Sequence, residues 1–183
     1  GIGEAIAREL FKNGLKVAAL ARRTGKLKEL EKELNKDGLI KGIKCDVTKA
    51  DEVKAAIRWI ETNWGEINVL VNNAGVSIPE SLTGGTGEGM SKSFETNVIG
   101  LSTCTREVIG VMKRHDVKQG HIININSILG QYNPGLSGQG AYVASKHAVT
   151  VLTETLKNEL AIERSPIRVT SISPGFVVTE MSQ

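Results

Sequence analysis

Short unbroken apolar runs alternate along this chain with longer segments of helical period, and that alternation constrains the fold more than any other feature. "EAIARELFKNG" carries apolar residues at helical spacing, "KVAALA" is continuously apolar, and "GKLKELEKELNKDG" returns to the helical period. The pattern continues through "GLIKGIKCDV", "DEVKAAIRWIETNW", "INVLVNNAG", a helical stretch near 88 to 114, "HIININS", a helix near 141 to 163, and "IRVTSIS". Apolar runs separated by helices read as strands buried on both faces of a parallel sheet. The expected fold class is therefore α/β, a doubly wound parallel sheet. Gly14, Gly38 and Gly65 supply helix stops, and Thr24, Thr48 and Ser145 are expected at helix starts or in first turns.

At 183 residues the chain suits one domain with one sizeable core, so residues 1–183 are read as a single domain or part of one. Its 23 basic and 20 acidic residues are mixed along the sequence, for a net charge of +3, which gives no support to a nucleic-acid or anionic-membrane surface. No apolar run approaches the roughly 20 residues that span a bilayer. Cys45 and Cys104 lie far apart without metal-type spacing, which favours reduced thiols in a reducing, cytoplasmic setting. His115, His121 and His147 have no partner at useful ligand spacing, and no metal is expected.

The residues with chemical meaning fall at predicted strand ends. "YVASK" puts Tyr142 and Lys146 four apart, on one helical face. A phenol titrates near 10 in water, and an adjacent ammonium stabilises its phenolate, so this pair could act as a general acid and base; it could equally be an ordinary surface pair. "HIININSILG" delivers Ser127 at a strand end, where its hydroxyl could hold a substrate oxygen beside the Tyr142 phenol. Asn97 interrupts a good apolar stripe in "FETNVIG", either as an incidental exposed polar site, the reading favoured by the residue alone, or as a device to hold water against the backbone.

"VNNAG" ends a strand with Asn72, Asn73, Ala74 and Gly75, small residues that let a flat ligand approach or simply make a turn. Asp46 in "KCDV" could accept from an adenine amine or cap the helix expected from Thr48. Arg22 and Arg23 follow the second strand of the expected sheet, where a dinucleotide fold places a ribose; arginines there suit a 2′-phosphate, against the alternative of a solvated basic pair. Gly1 and Gly3 open a helix and would let a pyrophosphate approach its N-terminus. "PESLTGGTGEGM" and "GQYNPGLSGQG" follow strand ends and are candidates for a substrate rim or for plain surface loops. Met90 follows Gly84 and Gly89 where a P-loop requires lysine, so that reading is set aside.

Taken in order, "GIG" at 1 to 3, "DV" at 46 to 47, "NNAG" at 72 to 75, Asn97, Ser127, "YVASK" at 142 to 146 and "PGFVVT" at 174 to 179 resemble the short-chain dehydrogenase/reductase family along essentially the whole chain. "INSILG", "ASKHAVT", "STCTREV" and "RVTSISPG" look most like its insect farnesol dehydrogenase-like branch and the vertebrate steroid- and carbonyl-reducing relatives. The resemblance implies a Rossmann-like fold and a tetrad of Asn97, Ser127, Tyr142 and Lys146, with Lys146 also holding the nicotinamide ribose. It implies a cofactor site at Gly1, Ile2, Gly3, Arg22, Arg23, Asp46, Val47, Asn73, Ala74, Gly75, Pro174 and Gly175, with Val177 and Thr179 orienting the nicotinamide carboxamide. The implied reaction is reversible hydride transfer between NADP(H) and an apolar alcohol or carbonyl, such as an isoprenoid alcohol or a steroid. A homodimer or homotetramer through the helices near 88 to 114 and 141 to 163 is implied as well.

Some features depart from the family pattern. Its first strand and the residues before "GIG" do not precede Gly1, and "TEMSQ" ends where a substrate-covering segment would begin. In the family's sheet that strand lies between the strands read here at 16 to 21 and 67 to 72, so residues 1–183 alone are expected to fold poorly and be inactive. Ser127 and Tyr142 are slightly further apart than is commonest, which suggests a longer loop through "NPGLSGQG". A nucleotide-binding sensor or scaffold that keeps the fold without turnover is the competing expectation.

Overall fold

A computed structural model describes residues 1–34 and 38–180. Helix α1 (Ile2–Lys12) leads into strand β1 (Val17–Ala21), α2 (Thr24–Leu34), β2 (Ile40–Lys44), α3 (Ala50–Trp64) and β3 (Val69–Asn72). Beyond it come α4 (Glu88–Phe94), a π-turn at Glu95–Gly100, α5 (Leu101–Arg114), β4 (His121–Ile125), a short 3₁₀ turn at Ile128–Gly130, α6 (Gly140–Ile162) and β5 (Arg168–Ile172). Every strand pairing among the described residues is parallel, as chains with helical crossovers require. The strands form a pair, β1–β2, and a triplet, β3–β4–β5, and β1 and β3 share no ladder. The apolar alternation thus gives a Rossmann-like α/β fold with two parallel sheets.

Strand β1 shows why the continuous run "VAALA" marks a two-faced strand. Val17 and Ala19 pack with Ala7 of α1, Leu30 of α2 and Ile40 of β2. Ala18 and Leu20 face the opposite way, onto a larger core built from Val53, Ile57 and Ile60 of α3 and Val108, Val111 and Met112 of α5. Since side chains alternate along a strand, helices on both faces need apolar residues at every position. The larger core also takes in Ile122 of β4 and Leu160 of α6, so it joins both sheets.

Helix ends follow local chemistry. Gly14 follows α1 at φ 79°, with its amide donating to Phe11 O at 2.9 Å, and Gly65 ends α3 at φ 83°. Glycine alone occupies that left-handed region without steric cost. Gly38 also has positive φ, at 67°. Thr24 opens α2 as expected, but two other expected starts are displaced. Helix α3 begins at Ala50, because Asp46 Oδ1 takes both the amide of Thr48 at 3.0 Å and its hydroxyl at 2.8 Å, holding Thr48 in a turn ahead of the helix. Asp46 therefore closes that turn rather than capping a helix from Thr48. Ser145 lies in the second turn of α6, fully buried, because α6 starts at Gly140.

The stretch near 88 to 114 is not one regular helix. A π-turn carrying Asn97 separates α4 from α5. Such single turns of wider helix concentrate at functional sites. Cys45 and Cys104 are free and buried, and burial pushes their thiols up to about 11 and about 12, which leaves them unreactive. No helix among the described residues is long and apolar enough to cross a membrane.

Candidate active site

Strand β4 ends at Ile125, and the chain turns directly into Ser127. Ser127 caps the 3₁₀ turn, its hydroxyl accepting from Leu129 N at 3.1 Å, while Ile128 N donates to Pro174 O at 2.9 Å. That second bond ties the serine turn to the segment after β5. The hydroxyl is thereby held at the carboxyl end of the sheet, where open α/β folds place their ligands.

Helix α6 brings Tyr142 and Lys146 to the same end. Lys146 is buried and donates its ammonium to the carbonyl of Ile125 at 2.9 Å. The ammonium nitrogen lies 5.8 Å from the centroid of the Tyr142 ring. Burial alone lowers the lysine from 10.5 to about 8, since a desolvated ammonium loses hydration that one carbonyl does not replace. Lys146 is therefore an interior group and Tyr142 a half-buried one, so the two do not form an ordinary pair of solvated surface side chains.

Asn97 corrects the reading drawn from the residue alone. It is buried at 1% exposure rather than an incidental exposed site. Its Oδ1 accepts from Val76 N at 2.8 Å, and its Nδ2 donates to Val76 O at 2.9 Å and to Ser145 Oγ at 2.9 Å. The carboxamide clamps the loop after β3 to helix α6. The sequence marks Ser145 only as a helix-start residue and does not mark the main chain of Val76 at all; the available signal for a site role was a serine three residues beyond Tyr142, spaced to bond its carbonyl.

The same loop brings Gly75 close to both groups. A Cβ placed on Gly75 would lie 3.3 Å from Asn97 Oδ1 and 3.8 Å from Lys146 Nζ. Asn73 turns the other way, toward α1: a Cβ on Gly3 would sit 2.4 Å from its Nδ2, closer than any real contact. Gly1 is also covered, with Thr179 Cβ 3.7 Å from where its own Cβ would be. Gly1, Ile2, Val177 and Thr179 line one open cleft of about 650 Å³ together with Ala5 and Ile6. Residues from three distant parts of the sequence thus converge on the N-terminus of α1. Val47 packs against Gly100 at the start of α5, where an added Cβ would meet its Cγ2 at 2.9 Å.

Asn72, next to this loop, faces inward. Its Nδ2 donates to Asn124 Oδ1 and to Thr105 Oγ1, each at 2.9 Å, and Asn124 Nδ2 reaches Thr153 Oγ1 at 2.9 Å. This buried polar row ties β3 and β4 to α5 and α6 below the site.

At the end of β1, Arg23 and Lys26 both pair with Glu180, which lies just after Thr179. Those cations push the Glu180 carboxyl down to about 2. Arg22 is exposed. Burial would raise the Asp46 carboxyl, but bonds from Thr48 and the charges of Arg22 and Lys49 outweigh it and hold the group low. The two rim loops meet each other: Ser77 Oγ donates to Gln139 Oε1 at 3.0 Å, and Glu80 N to Gly138 O at 2.9 Å. Around them Leu82, Ile128, Tyr132, Leu136 and Phe176 are more than half exposed. The histidines serve local contacts: His115 with Glu61, His121 with Thr170 Oγ1, and His147 with the carbonyl of Val143.

A buried lysine beside a tyrosine, a serine at a strand end and a glycine-lined helix N-terminus define an oxidoreductase site of the Rossmann type, and residues 1–183 match the short chain dehydrogenase family model. The chain belongs to that family. It is 41% identical to a farnesol dehydrogenase of Aedes aegypti, over 99% of this chain and 75% of that one. It is 40% identical to dehydrogenase/reductase SDR family member 11 of Homo sapiens, over 100% of this chain and 71% of the relative. Among solved structures, an actinorhodin polyketide ketoreductase with NADPH superposes with a TM-score of 0.91 at 36% identity, covering 100% of this chain and 69% of that one. A short-chain dehydrogenase/reductase from Burkholderia phymatum in complex with NAD gives 0.90 at 29% identity, covering 97% and 62%. The family is one of nicotinamide-dependent oxidoreductases, and the relatives include complexes with both forms of the cofactor.

Proposed function

We propose that this chain is the NADP(H)-dependent core of an alcohol dehydrogenase or carbonyl reductase for apolar substrates, with Asn97, Ser127, Tyr142 and Lys146 as its catalytic set. The observation that carries the reading is the buried Lys146 ammonium beside the Tyr142 ring at the carboxyl end of β4. In this reading Tyr142 passes a proton to or from a substrate oxygen, and the ammonium offsets the negative charge that develops on the reacting oxygens. Ser127 holds the same oxygen by donating a hydrogen bond from the other side. Its own hydroxyl oxygen is steadied by the Leu129 amide, which leaves the hydrogen free to point at substrate.

The residues present suit a dinucleotide. Gly3 has no room for a Cβ against Asn73, and the α1 N-terminus has no side-chain cap, which leaves backbone amides for a pyrophosphate. Gly1, Ile2, Gly3, Asn73, Ala74 and Gly75 would line the dinucleotide, Asp46 and Val47 the adenine, and Lys146 the nicotinamide ribose. Pro174, Gly175, Val177 and Thr179 would flank the nicotinamide, which supplies or accepts the hydride when bound. Arg22 and Arg23 would read a 2′-phosphate. Exposed Leu82, Ile128, Leu136 and Phe176 favour an apolar substrate, of which farnesol, farnesal or a steroid ketone are examples. Exposed Val151 and Ile162 on α6 fit a homo-oligomeric contact.

Hydride transfer by the complete protein, followed as NADPH absorbance with farnesol, farnesal and a steroid ketone, tests the reading. Turnover that prefers NADP(H) over NAD(H) supports it. Tight NADPH binding without turnover across a broad panel of alcohols and carbonyls would instead make the protein a nucleotide-binding sensor.

A further inference from the structure

Ser145 has no part in the chemistry described above, yet it sits between Tyr142 and Lys146 on α6 and is fully buried. Its hydroxyl donates to the carbonyl of Tyr142 at 2.7 Å, and its oxygen accepts from Asn97 Nδ2 at 2.9 Å. A hydroxyl carries one hydrogen, and a carbonyl can only accept, so the hydrogen of Ser145 is committed to Tyr142. What remains for Asn97 is a lone pair. Asn97 must therefore present its NH₂ group to Ser145, and the two bonds to Val76 demand the same orientation. A flipped carboxamide would set oxygen against both Ser145 Oγ and Val76 O.

The orientation matters because of what the other end of the amide faces. Asn97 Oδ1 and Lys146 Nζ lie 3.3 and 3.8 Å from one point, the position a Cβ on Gly75 would occupy. The bare Cα of Gly75 thus leaves a small space bordered by the negative end of the amide and by the buried ammonium. Lys146 lies buried beside the Tyr142 ring, its ammonium held by the carbonyl of Ile125. The amide dipole is thereby an electrostatic neighbour of the ammonium in a buried, low-dielectric setting.

We propose that Ser145 is a positioning residue: by accepting from Asn97 and donating to the Tyr142 carbonyl, it ties the Asn97 carboxamide to the turn of α6 that carries Tyr142 and Lys146, and so keeps the amide beside the space at Gly75 that the Lys146 ammonium also borders. The inference rests on the reading of Asn97, Tyr142 and Lys146 as the catalytic set. Ser145 touches neither substrate nor cofactor in this role. It acts through Asn97, in the way that supporting hydrogen bonds hold a catalytic constellation in register.

The test uses the complete protein and Ser145→Ala, which keeps a good helix former at the position. Three readouts are expected to move together. The titration midpoint of the Lys146 ammonium, followed by NMR of the free protein, falls by about half a pH unit or more because the Asn97 amide, still held by Val76, is no longer tied to the helix that carries the lysine. kcat falls about tenfold with KM for cofactor and substrate unchanged, as loss of alignment predicts. In an Asn97→Ala background the Ser145→Ala change has little further effect, since the bond it removes is already absent.

An unchanged Lys146 midpoint overturns the proposal, and so does a tenfold loss that simply adds to that of Asn97→Ala. Should the double variant not fold, the NMR midpoint and the KM-against-kcat split in Ser145→Ala decide alone. The midpoint needs no turnover, so it still decides if the protein proves to be a nucleotide sensor. Active protein with a silent Ser145→Ala refutes the positioning role and leaves the enzymatic reading intact.

Discussion

Lys146 donates its ammonium to the carbonyl of Ile125, the last residue of β4, at 2.9 Å. Helix α6 is thereby fastened to the sheet through the side chain whose charge the proposed chemistry uses. Burial lowers this lysine from 10.5 to about 8, so the unfolded chain binds its proton more tightly than the folded one. Stability from this group is therefore reduced below pH 8 and recovers as pH rises toward 10.5. The interval corresponds to about 3 kcal/mol as an order of magnitude. Comparing urea unfolding of the cofactor-free protein with that of Lys146→Met at pH 7 and pH 10.5 is expected to show this increment in the wild-type protein only. Parallel pH profiles for the two would contradict it.

Tyr142 lies on the solvent side of that lysine and is only partly buried. Removing its hydroxyl deletes the proton carrier and leaves the ring in place. Tyr142→Phe is expected to cut kcat by about 10²- to 10⁴-fold while NADPH affinity, read by fluorescence titration, stays within about twofold. Near-normal turnover would reject the tyrosine as the proton-transfer group.

Gly3 and Asn73 occupy the same space. An alanine at position 3 would place its Cβ 2.4 Å from Asn73 Nδ2 and 2.9 Å from Cγ, so the asparagine must swing aside. Gly3→Ala is expected to weaken cofactor binding by about tenfold or more, and Asn73→Ala added to it to recover part of that loss by making room. Isothermal titration of both variants distinguishes this shared crowding from an independent effect of each residue, for which no recovery would occur.

Arg23 already has a partner, because Glu180 pairs with it across 157 residues of sequence and with Lys26 across 154. A 2′-phosphate must compete with that carboxylate. Glu180→Gln is expected to tighten NADPH severalfold and leave NADH unchanged, whereas alanine at both Arg22 and Arg23 weakens NADPH much more than NADH. Equal changes for the two cofactors would show that these cations do not read the 2′-phosphate.

The buried row of Asn72, Asn124, Thr105 and Thr153 has every link within 2.9 Å. Asn124→Leu removes both of its bonds and leaves Asn72 Nδ2 with Thr105 alone and Thr153 Oγ1 with the carbonyl of Val149. Chemical denaturation is expected to show a loss of about 1 to 3 kcal/mol, the net value of two buried hydrogen bonds. A loss below about 0.5 kcal/mol would mean that the row is not under hydrogen-bond control.

The parts of the structure that could be read in the sequence are those governed by local rules. Val17 to Ala21 read as a strand buried on both faces because neither face could be polar, and Gly14 and Gly65 marked helix ends because their backbone angles exclude other residues at low cost. Tyr142 and Lys146 were visible through their spacing, although spacing left the surface alternative open until burial closed it. Asn97 was misjudged from its own propensity, since its three bonds go to Val76 and Ser145, 21 and 48 residues away. Helix starts at Thr48 and Ser145 were misplaced for a similar reason: Asp46 held Thr48 in a turn, and Ser145 served the interior instead of a cap. Glu180 carried no local pattern at all, because its partners belong to the other end of the chain.

The π-turn at Glu95–Gly100 has a consequence for how this chain can vary. A regular helix from Glu88 to Arg114 would carry one residue fewer in that turn, and everything downstream would rotate by about 100° relative to α4. Asn97 would then leave Val76 and Ser145, and the packing of Val108, Val111 and Met112 would be out of phase with it. A single-residue deletion between Glu95 and Gly100 is thus a change of helical phase as well as of length. This turn must keep its count for the core and the candidate site to be in step.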